Sequence, residues 1–144
     1  MRRKPRYRIR AVLAAAGAGG GVIGVEAALF AMWNALASGD GSTALIMGLN
    51  YLLFVPMMFA PLFLIGLAVV GAPMWAVLDG TAANSRRAAV LAGSLMSAAA
   101  AAIVLAALGV LSPDALWFCA AFAPAGGVAG WVLHRVAYGR PAAP

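Results

Sequence analysis

The chain is poor in the side chains that carry most enzyme chemistry. It contains one cysteine, Cys119, and one histidine, His134. A lone cysteine excludes a disulfide within the chain and a paired-cysteine redox motif, and it leaves a His/Cys zinc site without ligands. Carboxylates are as scarce, with only Glu26, Asp40, Asp79 and Asp114. No glycine-rich phosphate loop is present, because the glycines from Gly17 to Gly24 lie inside an apolar run and lack the strand-turn-helix setting such a loop requires. These absences predict a non-enzymatic protein with no metal site and no cofactor. Cys119 is expected to pack as a small hydrophobe, and His134, beside Arg135, to mark an interface with water.

Charge is also missing from most of the length. The chain is 65% hydrophobic and has 17 glycines, against an apolar share of about 45–50% in ordinary soluble domains. Four long apolar stretches, roughly 11–37, 44–71, 88–111 and 115–133, contain one formal charge, Glu26. A bilayer core of about 30 Å needs about 20 apolar helical residues, and each stretch supplies enough. Alternating barrel-strand patterning is absent, so backbone polar groups must be satisfied within helices. The expected fold is an all-α membrane protein, a four-transmembrane-helix bundle. It has a basic N-terminus over 1–10, one membrane domain over 11–134 and a tail over 135–144.

All ten Lys and Arg residues lie outside the apolar stretches. Arg2, Arg3, Lys4, Arg6, Arg8 and Arg10 precede the first, Arg86 and Arg87 lie between the second and third, and Arg135 and Arg140 follow the fourth. The two other connections carry only Asp40 and Asp114. The positive-inside rule therefore predicts cytoplasmic N- and C-termini. Trp33 and Trp117 near the outer ends, with Trp75 and Trp131 near the inner ends, predict an aromatic belt at each interface. The net charge of +6 follows from threading rather than from a basic folded face, which argues against nucleic acid as a partner. A secretory signal is the competing reading of the first run, since Ala35-Leu36-Ala37 precedes Ser38. That run is far longer than the usual 7–15 residues or so, and Glu26 interrupts it, so the segment is expected to be retained.

The first span is the most distinctive. Gly17/Gly21 and Gly20/Gly24 are small-xxx-small pairs, which let helix backbones approach closely. At about 100° per residue, Gly17, Gly21 and Gly24 fall opposite Glu26, which shares its face with Gly19, Val22, Ile23, Phe30 and Trp33. One helix thus presents two faces suited to protein neighbours, and one of them is available to a partner. Glu26 lies about 16 Å below the outer end of its span, near the midplane of the core. An ionised carboxylate there costs roughly 2.5–3.5 kcal/mol on insertion scales. It is therefore a candidate proton- or ligand-binding group, or else a structural hydrogen-bonding group.

Candidate polar companions of Glu26 are Asn34 and Asn50. Pro56 and Pro61 in the second span free the carbonyls of Leu52 and Met57, and Pro124 in the fourth could act similarly near Cys119 and Phe122. The inner halves offer little more than Ser94 and Ser97, so no polar track crosses the membrane. Gly126 and Gly130 form a further small-xxx-small pair in the fourth span. In the central connection, Asn84 or Ser85 could cap the third helix, and Asp79 could pair with Arg86 or Arg87.

The four spans and the glutamate in the first resemble the small multidrug-resistance transporters, and that resemblance implies a proton-exchanging role for Glu26. Those chains are shorter, have tight loops and carry a glycine-rich motif in the last span, whereas this one has a long basic N-terminus and a large central connection. The stretch from Gly71-Ala72-Pro73 to Arg86-Arg87-Ala88-Ala89 and Leu91-Ala92-Gly93 resembles small four-span bacterial inner-membrane proteins of unassigned function. It implies bacterial inner-membrane placement and no catalytic residues. Two functions are expected. One is helix-helix association, as a homo-oligomer or with another membrane protein, in an accessory, regulatory or toxin-immunity role. The other is small proton-coupled or ligand-binding transport through Glu26. The lipid bilayer is a partner in either case.

Overall fold

A computed structural model describes residues 8–73, 76, 85–110 and 112–138, and among these the chain is helix and turn without a strand. The helices are α1 (Arg8–Ala37), α2 (Gly41–Gly66, continued by a wider π turn at Leu67–Gly71), α3 (Arg86–Ala107) and α4 (Pro113–Tyr138). All four are long and apolar enough to cross a membrane. The shortest, α3, has 22 residues and is about 33 Å long at 1.5 Å per residue. Arg2, Arg3, Lys4, Arg6, Trp75, Asp79, Asn84 and Arg140 lie outside the described residues.

The two described turns are built on one plan. After α1 the chain reverses at Gly39, whose φ of +82° is a left-handed conformation that glycine adopts without a Cβ clash. The Asp40 amide then donates to the Ala35 carbonyl at 3.1 Å. Asp40 opens α2 by accepting from the Thr43 amide at 3.0 Å, an N-cap that satisfies one of the helix's unpaired donors. After α3, Gly109 takes φ +69° and the Val110 amide donates to Leu105 at 3.0 Å. The helix therefore closes at Ala107. Ser112 caps α4 by accepting from the Ala115 amide at 3.2 Å, with Pro113 at the first helical position, where its missing N–H costs nothing. Ser85 caps α3 likewise, accepting from Ala88 at 3.2 Å.

Each turn makes an antiparallel hairpin, α1/α2 and α3/α4, and the hairpins join through α1 against α4. The spatial order is α2–α1–α4–α3, and among the described residues α2 and α3 make no close backbone approach. The interior is built of small residues, with Ala11, Ala15, Ala28, Ala125 and Ala129 buried and no large side chain fully buried among the described residues. Helices in lipid gain little from burying large apolar groups, because acyl chains solvate those groups equally well, so close backbone packing of small residues dominates. Accordingly α2 and α3, the more apolar pair, lie at the edges and are less covered than α1 and α4. Up-and-down threading places Arg10, Arg86, Arg87 and Arg135 at one end and Asp40 at the other.

Candidate functional site

Two kinds of feature compete for a functional role: the glycine seams with the surfaces they leave open, and the polar groups around Glu26. On the α1/α2 seam a Cβ built at Gly20 would come within 3.0 Å of the Ala60 backbone nitrogen and 3.1 Å of the Pro56 carbonyl oxygen. One built at Gly24 would run into the Pro56 ring, and one at Gly19 would come within 2.8 Å of the Phe63 ring. Pro56 is thus seated on α1, and α2 runs on through both Pro56 and Pro61 without ending. Nearer the Gly39 turn, Gly48 admits the Met32 side chain.

Gly17 and Gly21 are placed differently. A Cβ at either would meet nothing within 4 Å, and exposed Leu13 and Val25 share that side of α1. Gly17 and Gly21 therefore separate from Gly20 and Gly24. The latter pair packs inside the chain, and the former forms an open shallow track along α1.

On the α3/α4 seam Gly126 and Gly130 meet the backbone of α3 directly. A Cβ at Gly126 would overlap the Gly93 carbonyl oxygen, and one at Gly130 the Ala89 carbonyl oxygen. Ser97 also lies against Gly126, and Ser94 against Gly127. Ala89, Gly93 and Ser97 recur at four-residue spacing and form the ridge that receives α4. Sequence reasoning weighed Ser94 and Ser97 only as polar groups. The recurring small residues were the available signal for this seam.

Glu26 is half-buried on the flank of α1, and among the described residues its carboxyl has no hydrogen-bond or ion-pair partner. Asn34 and Asn50 do not reach it. The Asn34 amide donates to the Phe30 carbonyl at 2.9 Å and the Asn50 amide to the Ile46 carbonyl at 3.0 Å, each one turn back on its own helix. Asn34 lines a shallow cavity of about 400 Å³ at the Asp40 end of the bundle with Ser38, Asp40, Thr43 and Tyr51. In that rim, hydrogen bonds from the Thr43 side chain and amide, and then from Ser42, hold the Asp40 carboxyl below the ordinary aspartate range.

A second cavity, of about 590 Å³, is the open groove between α2 and α3, floored by α4. Its walls are apolar over most of its length. Along it the rings of Phe59 and Phe122 meet with centroids 5.8 Å apart, and Phe118, nearer the far end, packs edge-on to Phe122 at 5.1 Å. At the arginine end Ser85, His134 and Tyr138 line it. At the same end of the bundle, but outside the groove's lining, the guanidinium groups of Arg86 and Arg135 lie 5.2 and 5.1 Å from the centre of the Trp131 ring. The His134 and Tyr138 rings pack together at 5.2 Å. Glu26 lines neither cavity. Sequence reasoning missed the groove, because which helices touch is not written in the periodicity of any one of them. Cys119 is buried as a free thiol near the N-terminal end of α4.

Comparison with family models, with curated proteins and with solved structures finds no match. The functional reading therefore rests on these residues alone.

Proposed function

We propose that this chain is a non-enzymatic multi-pass protein of the bacterial inner membrane that works by helix-helix association, with itself or with another membrane protein. Both termini face the cytoplasm in this reading, as the distribution of Lys and Arg favours. The observation that carries it is the open track at Gly17 and Gly21. The chain uses Gly20 and Gly24 for its own packing and leaves the neighbouring small-xxx-small pair with open space, the surface a second helix backbone can approach. Accessory, regulatory and toxin-immunity roles all use such a surface.

The discriminating variants are Gly17→Leu and Gly21→Leu, because a Cβ at either position has open space within 4 Å among the described residues. Both variants should keep the helicity and Tm of the parent. Both should lose self-association, measured by sedimentation in native detergent, or lose the co-purifying membrane protein. Unchanged assembly would overturn the proposal.

A second reading has its own observation, the half-buried Glu26 carboxyl near mid-span with no partner among the described residues. An intramembrane carboxylate without a structural partner is a candidate for proton-coupled or ligand-binding transport. In that reading Glu26→Gln removes substrate-induced proton release in proteoliposomes, and full retention of transport removes the reading.

A further inference from the structure

We infer that two copies of this chain pair through the Glu26 face of α1, each protonated Glu26 carboxyl donating to and accepting from Glu26 of the second copy. The inference deepens the helix-association reading by naming a partner, and it rests on that reading. The face it uses is not the Gly17 and Gly21 track.

Glu26 sits where the cover on one side of α1 ends. At about 100° per residue its stripe continues through Ile23, Gly19 and Ala15 toward the arginine end, and through Leu29, Phe30 and Trp33 toward the Asp40 end. Ala15, Gly19 and Ile23 are buried by the rest of the chain, whereas Leu29, Phe30 and Trp33 are 61, 71 and 72% exposed. At this level Gly24 meets the Pro56 ring of α2 and Ala28 is buried, and both lie on the opposite side of the helix from Glu26. Exposed Leu29, Phe30 and Trp33 need nothing beyond acyl chains. A carboxyl near mid-span needs hydrogen-bonding partners that hydrocarbon cannot supply. Among the described residues its own chain offers it none, since the Asn34 and Asn50 amides are bonded one turn back on their own helices. The partner has to come from outside the chain, at the depth of Glu26.

Threading selects that partner. The distribution of Lys and Arg gives every copy the same orientation, so two copies paired symmetrically in one membrane are related by a two-fold axis along its normal. Each residue on the axis then meets its own equivalent at equal depth. The four apolar stretches hold one formal charge, Glu26, so what meets Glu26 on that axis is Glu26 of the second copy. The chemistry is self-complementary. A protonated carboxyl carries one O–H donor and an acceptor oxygen, and two of them close on each other with no net charge and no unpaired group in lipid. Ionised, the same two groups would repel and each would carry the insertion cost of a central charge. The rest of the stripe fits the same contact, because Glu26, Leu29, Phe30 and Trp33 recur at i, i+3, i+4 and i+7, the spacing of a helix-helix seam.

The test is sedimentation equilibrium of the full chain in a nonionic detergent, with disulfide trapping in membranes as the local readout. Glu26→Leu should weaken dimerisation about tenfold, the loss expected for two interhelical hydrogen bonds in a membrane protein. Helicity and Tm should stay at the parent values, because Glu26 bonds nothing in its own chain among the described residues. Glu26→Gln, whose amide is both donor and acceptor, should keep the dimer. In a Cys119→Ala background, Trp33→Cys should cross-link between copies and lose the cross-link when Glu26→Leu is added, whereas Gly17→Cys, on the other side of α1, should not cross-link. The Trp33→Cys cross-link should persist in Gly21→Leu, so that failure of the glycine track and failure of this pair are told apart. Parent affinity in Glu26→Leu, equal loss in Glu26→Gln and Glu26→Leu, or cross-linking at Gly17→Cys in place of Trp33→Cys would each overturn the proposal.

Discussion

The two hairpins solve the same packing problem with different materials. In α1/α2 three glycines of one helix receive side chains of the other, the Pro56 ring at Gly24, the Phe63 ring at Gly19 and Met32 at Gly48, and Gly20 meets backbone. In α3/α4 glycine receives backbone, with the Gly93 carbonyl at Gly126 and the Ala89 carbonyl at Gly130. The first seam is mainly a fit of side chains into notches, with backbone contact at Gly20, and the second is mainly backbone against backbone, with the small side chains of Ser97 and Ser94 beside Gly126 and Gly127. A side chain can yield by changing rotamer, whereas a backbone carbonyl moves only with its helix. The α3/α4 seam is therefore the less forgiving, although its sequence advertises fewer glycines than α1. The difference also bears on the open groove: among the described residues the α3 backbone packs on α4, while the α2 backbone packs on α1 and its Phe59 ring meets Phe122 of α4.

The largest expected effect breaks that comparison directly. Gly126→Ala and Gly130→Ala should each destabilise the fold by about 1–3 kcal/mol, the range for overpacking a close-packed contact, and should separate α3 from α4. Gly20→Ala, whose new methyl would meet the Ala60 and Pro56 backbone at 3.0–3.1 Å, should fall near the lower end of that range. Gly19→Ala should cost less again, because the group it meets is the Phe63 ring, a side chain free to turn. The measurement is the unfolding equilibrium of each variant in mixed micelles, with a cysteine cross-link across each seam as the local readout. Equal losses at Gly126 and Gly19 would show that the two seams are alike and that backbone contact carries no special penalty.

How far the sequence foretold this depends on the scale of the feature. Four apolar stretches and the exclusion of Lys and Arg are one-dimensional signals set by bilayer thickness and by the cost of charge in lipid. The four membrane-length helices were legible from them. The end of α3 was less so, because a single glycine at 109 closes the helix while the apolar run continues to 111. The partners of particular glycines were not legible. Small-xxx-small spacing says that a helix can be approached closely, and it is silent on which neighbour does so. Gly17/Gly21 and Gly20/Gly24 have identical spacing, yet one pair is open and the other packed. The polar cluster imagined around Glu26 failed for a related reason. Asn34 and Asn50 can satisfy their amides on their own helices one turn back, and an available local acceptor needs no matching geometry from a second helix.

The smallest effect lies in the two described turns, where the hairpins look most alike. Both reverse at a left-handed glycine and both begin the next helix with a side-chain cap, but the cap of α2 is the carboxylate of Asp40 and that of α4 is the hydroxyl of Ser112. Only the first can titrate. Hydrogen bonds from Thr43 and Ser42 hold the Asp40 pKa below its ordinary value, so the folded state prefers the ionised form more than the unfolded chain does. The sign follows by linkage: this contribution is complete above the ordinary aspartate range and is lost as the pH falls through the depressed folded value. Amide exchange at Thr43 should therefore accelerate on acidification below that range, after correction for intrinsic rates, while exchange at Ala115 should follow the intrinsic rate alone. Asp40→Asn keeps an accepting oxygen for the cap and removes the titration, so it should abolish the acid-dependent step at Thr43 with little change in Tm. An acid-dependent step that persists in Asp40→Asn, or that appears equally at Ala115, would place the titrating group elsewhere and erase the distinction between the two turns.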